Sequence, residues 1–176
     1  MIILDRDGVI NHDSDDYIKT PEEWIPISSS ADAIARLNRS GFYVAVATNQ
    51  SGLSRGLFDL ETLIAIHQKM SDHLATFGAH IDKIIYCPDH PDNPGLNRKP
   101  APGMAIELLN HFNAVAENTW FIGDTLSDIQ CAINSGCKPA LVRTGKGVRT
   151  LNNPEWGNFN VPVFDDLNNF VVKLLN

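Results

Sequence analysis

Asp5 and Asp7 stand two residues apart just beyond the apolar run Ile2-Ile3-Leu4, and Gly8 follows them. A strand places alternate side chains on one side, so both carboxylates can face the same way, and a glycine lets the backbone turn sharply beneath them. Neighbouring carboxylates repel unless a cation or a shared proton stabilises them, so the pair asks for a divalent metal. Taken alone, Asp5-Arg6-Asp7-Gly8 reads equally well as a polar turn after a strand. The decision rests on what the other strand ends carry.

Thr48, Asn49, Gln50 and Ser51 follow a second apolar run, Arg98 and Lys99 come after a third, and Gly123 and Asp124 close a fourth. Two acids, a hydroxyl with an amide, two cations and a further acid thus approach one edge. A metal held by Asp5 and Asp124 would be joined by a phosphate whose remaining charge Lys99 offsets, while Thr48 donates to a phosphoryl oxygen. Asp5 can attack phosphorus and form an aspartyl-phosphate, which divides hydrolysis into two displacements. Asp7 is placed to protonate the departing oxygen and then to deprotonate the attacking water.

These groups need a scaffold, and the hydrophobic pattern supplies one. Apolar runs at 2–4, 43–47, 84–86, 120–122, 140–142 and, more weakly, 161–164 alternate with helical periods over 31–40, 60–77, 103–112, 126–135 and 167–175. Such alternation predicts an α/β fold: a Rossmann-like, doubly wound parallel sheet with helices on both faces, whose ligands bind beyond the carboxyl ends of the strands. Gly41, Gly78 and Gly136 fall where left-handed helix caps are expected, and Pro102 suits the opening of the third helix. The stretches 12–29 and 87–102 fit neither pattern and read as long functional loops. Residues 1–176 read as a single domain with only short, cap-like loops.

With 176 residues, 43% of them hydrophobic, the chain can bury a substantial core. A net charge of −7 without any basic stretch argues against nucleic acid or an anionic membrane as partner. The two aspartates interrupt the N-terminal apolar run too early for a secretory signal, and no segment approaches the roughly 20 apolar residues of a membrane span. The expectation is a cytoplasmic monomer. Cys87, Cys131 and Cys137 are too few and too unevenly placed for a disulfide framework. Cys87 and His90 form half of a zinc site, with no second pair nearby, so no structural zinc is expected.

Asp5-x-Asp7-Gly8, Thr48-Asn49, Lys99-Pro100 and Gly123-Asp124-x-x-x-Asp128, in that order, resemble the four motifs of haloacid-dehalogenase-like (HAD) phosphatases. Asn49-Gln50-Ser51-Gly52, Arg55-Gly56, Cys87-Pro88, Arg98-Lys99-Pro100 and Arg143-Thr144-Gly145-Lys146-Gly147 are similar to one branch, the D-glycero-D-manno-heptose 1,7-bisphosphate phosphatases. The resemblance implies magnesium-dependent removal of the C7 phosphate from a small phosphorylated sugar, in heptose and lipopolysaccharide precursor biosynthesis. It implies Asp5 as nucleophile and Asp7 as acid and base, with Asp5, the Asp7 carbonyl and Asp124 as magnesium ligands. Thr48 and Lys99 match the positions that stabilise the phosphoryl group, and Asn49, Arg98 and Lys99 match substrate-binding positions. Many members of the branch carry a Cys-x-His…Cys-x-Cys zinc loop; Asp89 stands at its histidine position and no cysteine lies between His90 and Arg98. A zinc-free loop ordered by Pro88, Pro91 and Pro94 is expected instead.

The remaining candidates divide. Asp128 reads either as an indirect metal ligand or as the acid of a helix-start capping pattern begun by Thr125. Arg55 is a candidate substrate contact on a glycine-flanked loop, or a solvated loop charge. Gly145-Lys146-Gly147 lacks the upstream glycine and following hydroxyl of a nucleotide loop. The acidic run 12–16 reads as a solvated flap, and His67 and His73 as structural or exposed. A receiver-like signalling module combines similar residue types but places its acceptor on a middle strand. Within the phosphatases, the runner-up is a histidinol-phosphate phosphatase or another small sugar-phosphate phosphatase.

Overall fold

Six strands alternate with six helices in the computed structural model, which describes residues 1–176: β1 (Ile2–Leu4), α1 (Ser30–Arg39), β2 (Val44–Asn49), α2 (Leu60–Ala75), β3 (Lys83–Cys87), α3 (Gly103–His111), β4 (Trp120–Gly123), α4 (Leu126–Asn134), β5 (Lys138–Val142), α5 (Gly147–Leu151), β6 (Val163–Phe164) and α6 (Leu167–Leu175). The strands form one parallel sheet in the order β3-β2-β1-β4-β5-β6. Chain direction across the sheet reverses between β1 and β4, and a crevice opens at such a reversal beyond the strand ends. Asp5 and Asp124 flank it.

Alternation along the strands sorts side chains into two apolar layers. Ile2, Leu4, Val44, Val46, Ile122, Ala140 and Val142 pack under α1, α2 and α6. Ile3, Ala45, Ala47, Ile85, Cys87 and Phe121 pack under α3 and α4. With both faces covered, the central strands read as continuous apolar runs, as buried parallel strands must. Each full burial of a Val, Leu or Ile side chain contributes roughly 1.5–3 kcal/mol, so these layers hold the strand ends in fixed register.

Strand β2 runs two residues beyond its apolar stretch, because Thr48 and Asn49 pair with Tyr86 and Cys87 of β3. The hydroxyl and amide therefore sit on a strand rather than a mobile loop. Helix α2 stops at Ala75, short of the expected Phe77, and Gly78 then takes a φ of +68°. The short α5 was invisible to periodicity, since five residues opening on a glycine display no repeat. The weak sixth run contracts to Val163–Phe164. No helix is long and apolar enough to cross a membrane.

Candidate active site

A cleft of about 270 Å³ lies beyond the carboxyl ends of the strands, lined by Asp5, Asp7, Thr48, Asn49, Arg98, Lys99 and Asp124 together with the segment around Asp13. All the site residues expected from sequence except Arg55 meet there. Arg55 is exposed on the turn after β2, outside the cleft lining, and its guanidinium forms no hydrogen bond or ion pair. The substrate contact expected of it has no support in this geometry.

Lys99 is the electrostatic centre. Its side chain is 1% exposed, and its Nζ lies 2.9 Å from Asp5 Oδ1 and 2.6 Å from Asp128 Oδ1. The third ammonium proton goes to the Ala47 carbonyl at 2.8 Å. Burial alone would lower the Lys99 pKa, but Asp128 and Asp5 outweigh it and keep the ammonium charged. In ion-pair contact with both acids and donating to Ala47, Lys99 acts on the cleft through its field and holds the Asp5 carboxylate in place. Asn49 pins the lysine's backbone: its Nδ2 donates to the Lys99 carbonyl and its Oδ1 accepts from the Lys99 amide, both at 3.1 Å. That ties Asn49 to positioning Lys99 more directly than to substrate.

Asp5, Asp124 and Asp128 bring carboxylate oxygens within 4.8 Å of one another. At such separations each like-charge pair repels by about 4 kcal/mol at an effective dielectric of ~20. Three buried carboxylates against one ammonium leave two negative charges uncompensated. Burial, reinforced by Asp128 and Asp7 against the pull of Lys99, pushes Asp5 up to about 7. Burial and the charges of Asp128 and Asp5 likewise raise Asp124 well above the ordinary carboxylate value.

A hard divalent cation fits this surplus. Asp128 spends both oxygens elsewhere, Oδ1 on Lys99 and Oδ2 on the Thr125 amide (3.0 Å) and hydroxyl (2.6 Å) at the start of α4. The capping reading of Asp128 therefore holds, with the Lys99 ion pair added to it. Asp5 Oδ1 accepts from the Arg6 amide at 2.7 Å and from Lys99, whereas Asp5 Oδ2 accepts nothing. Asp124 Oδ2 accepts from the Lys146 amide at 2.7 Å, leaving Oδ1 unengaged, and no backbone hydrogen bond ends on the Asp7 carbonyl. These three oxygens are the type and number a magnesium ion takes from protein. Gly8, at φ +82°, and Gly145, at φ +57°, both pack on the Asp124 carboxylate, where a Cβ on either would collide with it.

Asp7 is fully hydrogen-bonded. Oδ1 accepts from Arg6 Nε (3.0 Å) and Asn11 Nδ2 (2.8 Å), and Oδ2 from Arg6 Nη2 (2.9 Å) and Gln50 Nε2 (3.1 Å). Burial would raise its pKa, but the Arg6 guanidinium and the hydrogen bonds from Asn11, Arg6 and Gln50 outweigh it and hold the carboxyl below the usual value. Sequence reasoning missed Arg6, which is wholly buried; a charged residue between two aspartates reads as solvated.

The flap around Asp13 is more than solvated. Lys146 Nζ lies 2.6 Å from Asp13 and 3.7 Å from Asp15, and Arg149 grips Asp15 with two bonds of 3.1 and 2.9 Å. Across the cleft, the 88–98 loop closes on itself: Asp89 accepts from the Gly95 amide, and Arg98 Nη1 donates to the Asp89 carbonyl, both at 2.9 Å. His67 is largely buried and burial, then the charge of Arg6, lowers it to about 4, so it is neutral.

Residues 96–169 match the HAD-hydrolase-like family. The chain is 51% identical over 171 residues to the D-glycero-beta-D-manno-heptose-1,7-bisphosphate 7-phosphatase of Pseudomonas aeruginosa, covering 95% of this chain and 93% of that protein. It is 50% identical over 153 residues to the Neisseria meningitidis protein of the same name, covering 86% and 81% respectively. Among solved structures it resembles the D,D-heptose 1,7-bisphosphate phosphatase from B. bronchiseptica complexed with magnesium and phosphate, with a TM-score of 0.92, 46% identity and coverage of 99% and 97%.

Three predictions arise from the charge cluster. Lys99→Met strands Asp5 and Asp128 without their shared cation; a loss of about 3–5 kcal/mol in urea unfolding is expected, and a loss below about 1 kcal/mol would mean that another group neutralises them. Without divalent cation, the unfolded chain releases the Asp5 proton near pH 3.8 and the folded chain only near 7. This contribution therefore weakens the fold as pH rises between those values. Asp124→Asn is expected to raise the cation-free melting temperature at pH 7.5 and to abolish the rise that magnesium gives the wild type; a retained magnesium response would remove Asp124 from the cation site.

Proposed function

Because the chain belongs to the D-glycero-D-manno-heptose 1,7-bisphosphate 7-phosphatases of the HAD-like hydrolases, we propose that it removes the C7 phosphate of that sugar through an aspartyl-phosphate on Asp5. The single observation that carries the site assignment is the shared ammonium of Lys99, which draws the Asp5 carboxyl toward its charged form and holds it at a cleft that the Thr48 hydroxyl also lines.

Lys99 and the Arg6 amide anchor Asp5 at Oδ1, which fixes the carboxylate at the cleft for attack on phosphorus. As the Asp5 oxygen bonds to phosphorus, the bond from phosphorus to the C7 oxygen breaks and the Thr48 hydroxyl donates to a phosphoryl oxygen. Asp7 protonates the leaving sugar oxygen; an arriving phosphate dianion favours its protonated form, against the hold of Arg6. Asp7 then takes a proton from the water that attacks the aspartyl-phosphate, and phosphate leaves with Asp5 restored. Magnesium held by Asp5, Asp124 and the Asp7 carbonyl supplies Lewis-acid stabilisation of the phosphoryl charge. Arg98, with four of its five guanidinium N–H groups not drawn off by Asp89, is the residue we assign to the phosphate that stays.

Residues 1–176 act as one phosphatase domain in this reading, supported by the single sheet and by two apolar layers that both pack against it. The enzyme is taken to be monomeric and cytoplasmic, since a sugar-phosphate precursor pathway supplies its substrate there.

Magnesium-dependent phosphate release from both anomers of heptose 1,7-bisphosphate, fructose 1,6-bisphosphate and histidinol phosphate tests the reading. One heptose anomer is expected to lead in kcat/KM by about 100-fold or more over histidinol phosphate, because a site that binds a second phosphate is left with unpaired cations by a substrate lacking it. Preference for histidinol phosphate would remove the heptose assignment and leave the phosphatase chemistry.

A further inference from the structure

We propose that Gln50 is a positioning residue of the reaction, one whose side-chain amide fixes both the Asp7 carboxylate and the direction in which the Thr48 hydroxyl donates. The proposal rests on the roles given above to Asp7 and Thr48.

Gln50 directly follows β2, is 5% exposed, and is anchored by its own backbone amide, which donates to the Cys87 carbonyl at 2.7 Å. Its Nε2 donates to Asp7 Oδ2 at 3.1 Å and to Thr48 Oγ1 at 2.9 Å, while its Oε1 accepts from Arg6 Nη2 at 3.3 Å. An amide nitrogen carries two protons, and here each has its own acceptor. The reversed amide would set its oxygen against the Asp7 carboxylate and its N–H groups against the Arg6 guanidinium. Both contacts are repulsive, so charge on either side selects one orientation.

The consequence for Thr48 follows from hydroxyl stoichiometry. Its oxygen accepts from Gln50 and makes no other side-chain hydrogen bond, so its one proton remains available to a phosphoryl oxygen. The consequence for Asp7 is geometric. Arg6 and Asn11 hold the carboxylate from its own segment, whereas Gln50 reaches it from the end of β2 and ties it to the strand that bears Thr48. One amide thus sets the spacing between the group that moves the proton and the group that binds the phosphoryl oxygen.

Gln50→Glu keeps the shape but puts an anion beside Asp7 and gives Thr48 an acceptor to donate to in place of the phosphate. Gln50→Met keeps the length and removes the donors, and it decides the matter if the glutamate variant does not fold. Both are assayed by kcat/KM, which covers steps through departure of the leaving group, on two substrates. Heptose 1,7-bisphosphate has an alkyl leaving oxygen that needs the Asp7 proton; p-nitrophenyl phosphate has an aryl oxide that leaves without one. The expected fall is about tenfold on the aryl substrate, from the misdirected Thr48 donor. On the heptose substrate it is at least about a hundredfold, because proton transfer is impaired as well. Both variants are expected to melt lower, by the lost hydrogen bonds and, in Gln50→Glu, by the added buried charge, while the rise that magnesium gives the melting temperature of Gln50→Met stays at its wild-type value. Equal falls on both substrates, or falls under about threefold on either variant that folds, overturn the proposal. A wild-type protein inactive on the heptose substrate but active on the aryl one overturns the functional reading instead.

Discussion

One buried ammonium is shared among more carboxylates than it can neutralise, and the rest of the site follows from that imbalance. Lys99 reaches Asp5 at the end of β1 and Asp128 in the first turn of α4, with Asp124 at the end of β4 packed beside them. Two negative charges remain, at a cost that would consume much of the ~5–15 kcal/mol by which a domain of this size is stable. The fold holds the cluster only by admitting protons or a divalent cation, and the unengaged oxygens of Asp5, Asp124 and the Asp7 backbone favour the cation. A phosphate monoester is drawn by that cation, so cation and substrate enter one electrostatic account.

The parallel sheet makes such a cluster possible. Every strand delivers its carboxyl end to the same edge, and the reversal between β1 and β4 leaves no helix covering the crevice there. The two apolar layers fix strand register, and register fixes the spacing of Asp5, Thr48 and Asp124. The flap around Asp13 and the 88–98 loop flank the cleft mouth, each held by a few polar contacts.

The alternation of strand and helix and the identity of the acids, hydroxyl and lysine were legible because each is local: an apolar run followed by a chemical group. Asp128 was readable as a cap because the pattern spans four residues, while its ion pair with Lys99 joins distant loops and leaves no periodic trace. Arg6 and Asn11 escaped notice, and Gln50 stood only as part of a motif without a role, for a related reason. A buried Arg6 next to Asp7 has the same sequence signature as an exposed one, and only the fold brings Gln50 across to them. The acidic run of the flap looked solvated because Lys146 and Arg149, which hold it, lie near the other end of the chain. Arg55 is the one candidate that motif likeness put forward and that the fold leaves outside the cleft lining.

The claim on which all this converges is that Asp5, kept as a carboxylate by Lys99 and the cation, bonds to phosphorus. Acid quench of the protein during turnover with magnesium and heptose 1,7-bisphosphate, followed by peptide mass spectrometry, tests it most directly. The account predicts one phosphoryl group on the peptide that begins the chain, localised to Asp5 and lost when magnesium is withheld. A phosphoryl group on any other residue would contradict it, as would turnover of p-nitrophenyl phosphate with none detectable in Asp7→Asn, which on that substrate slows only the second step.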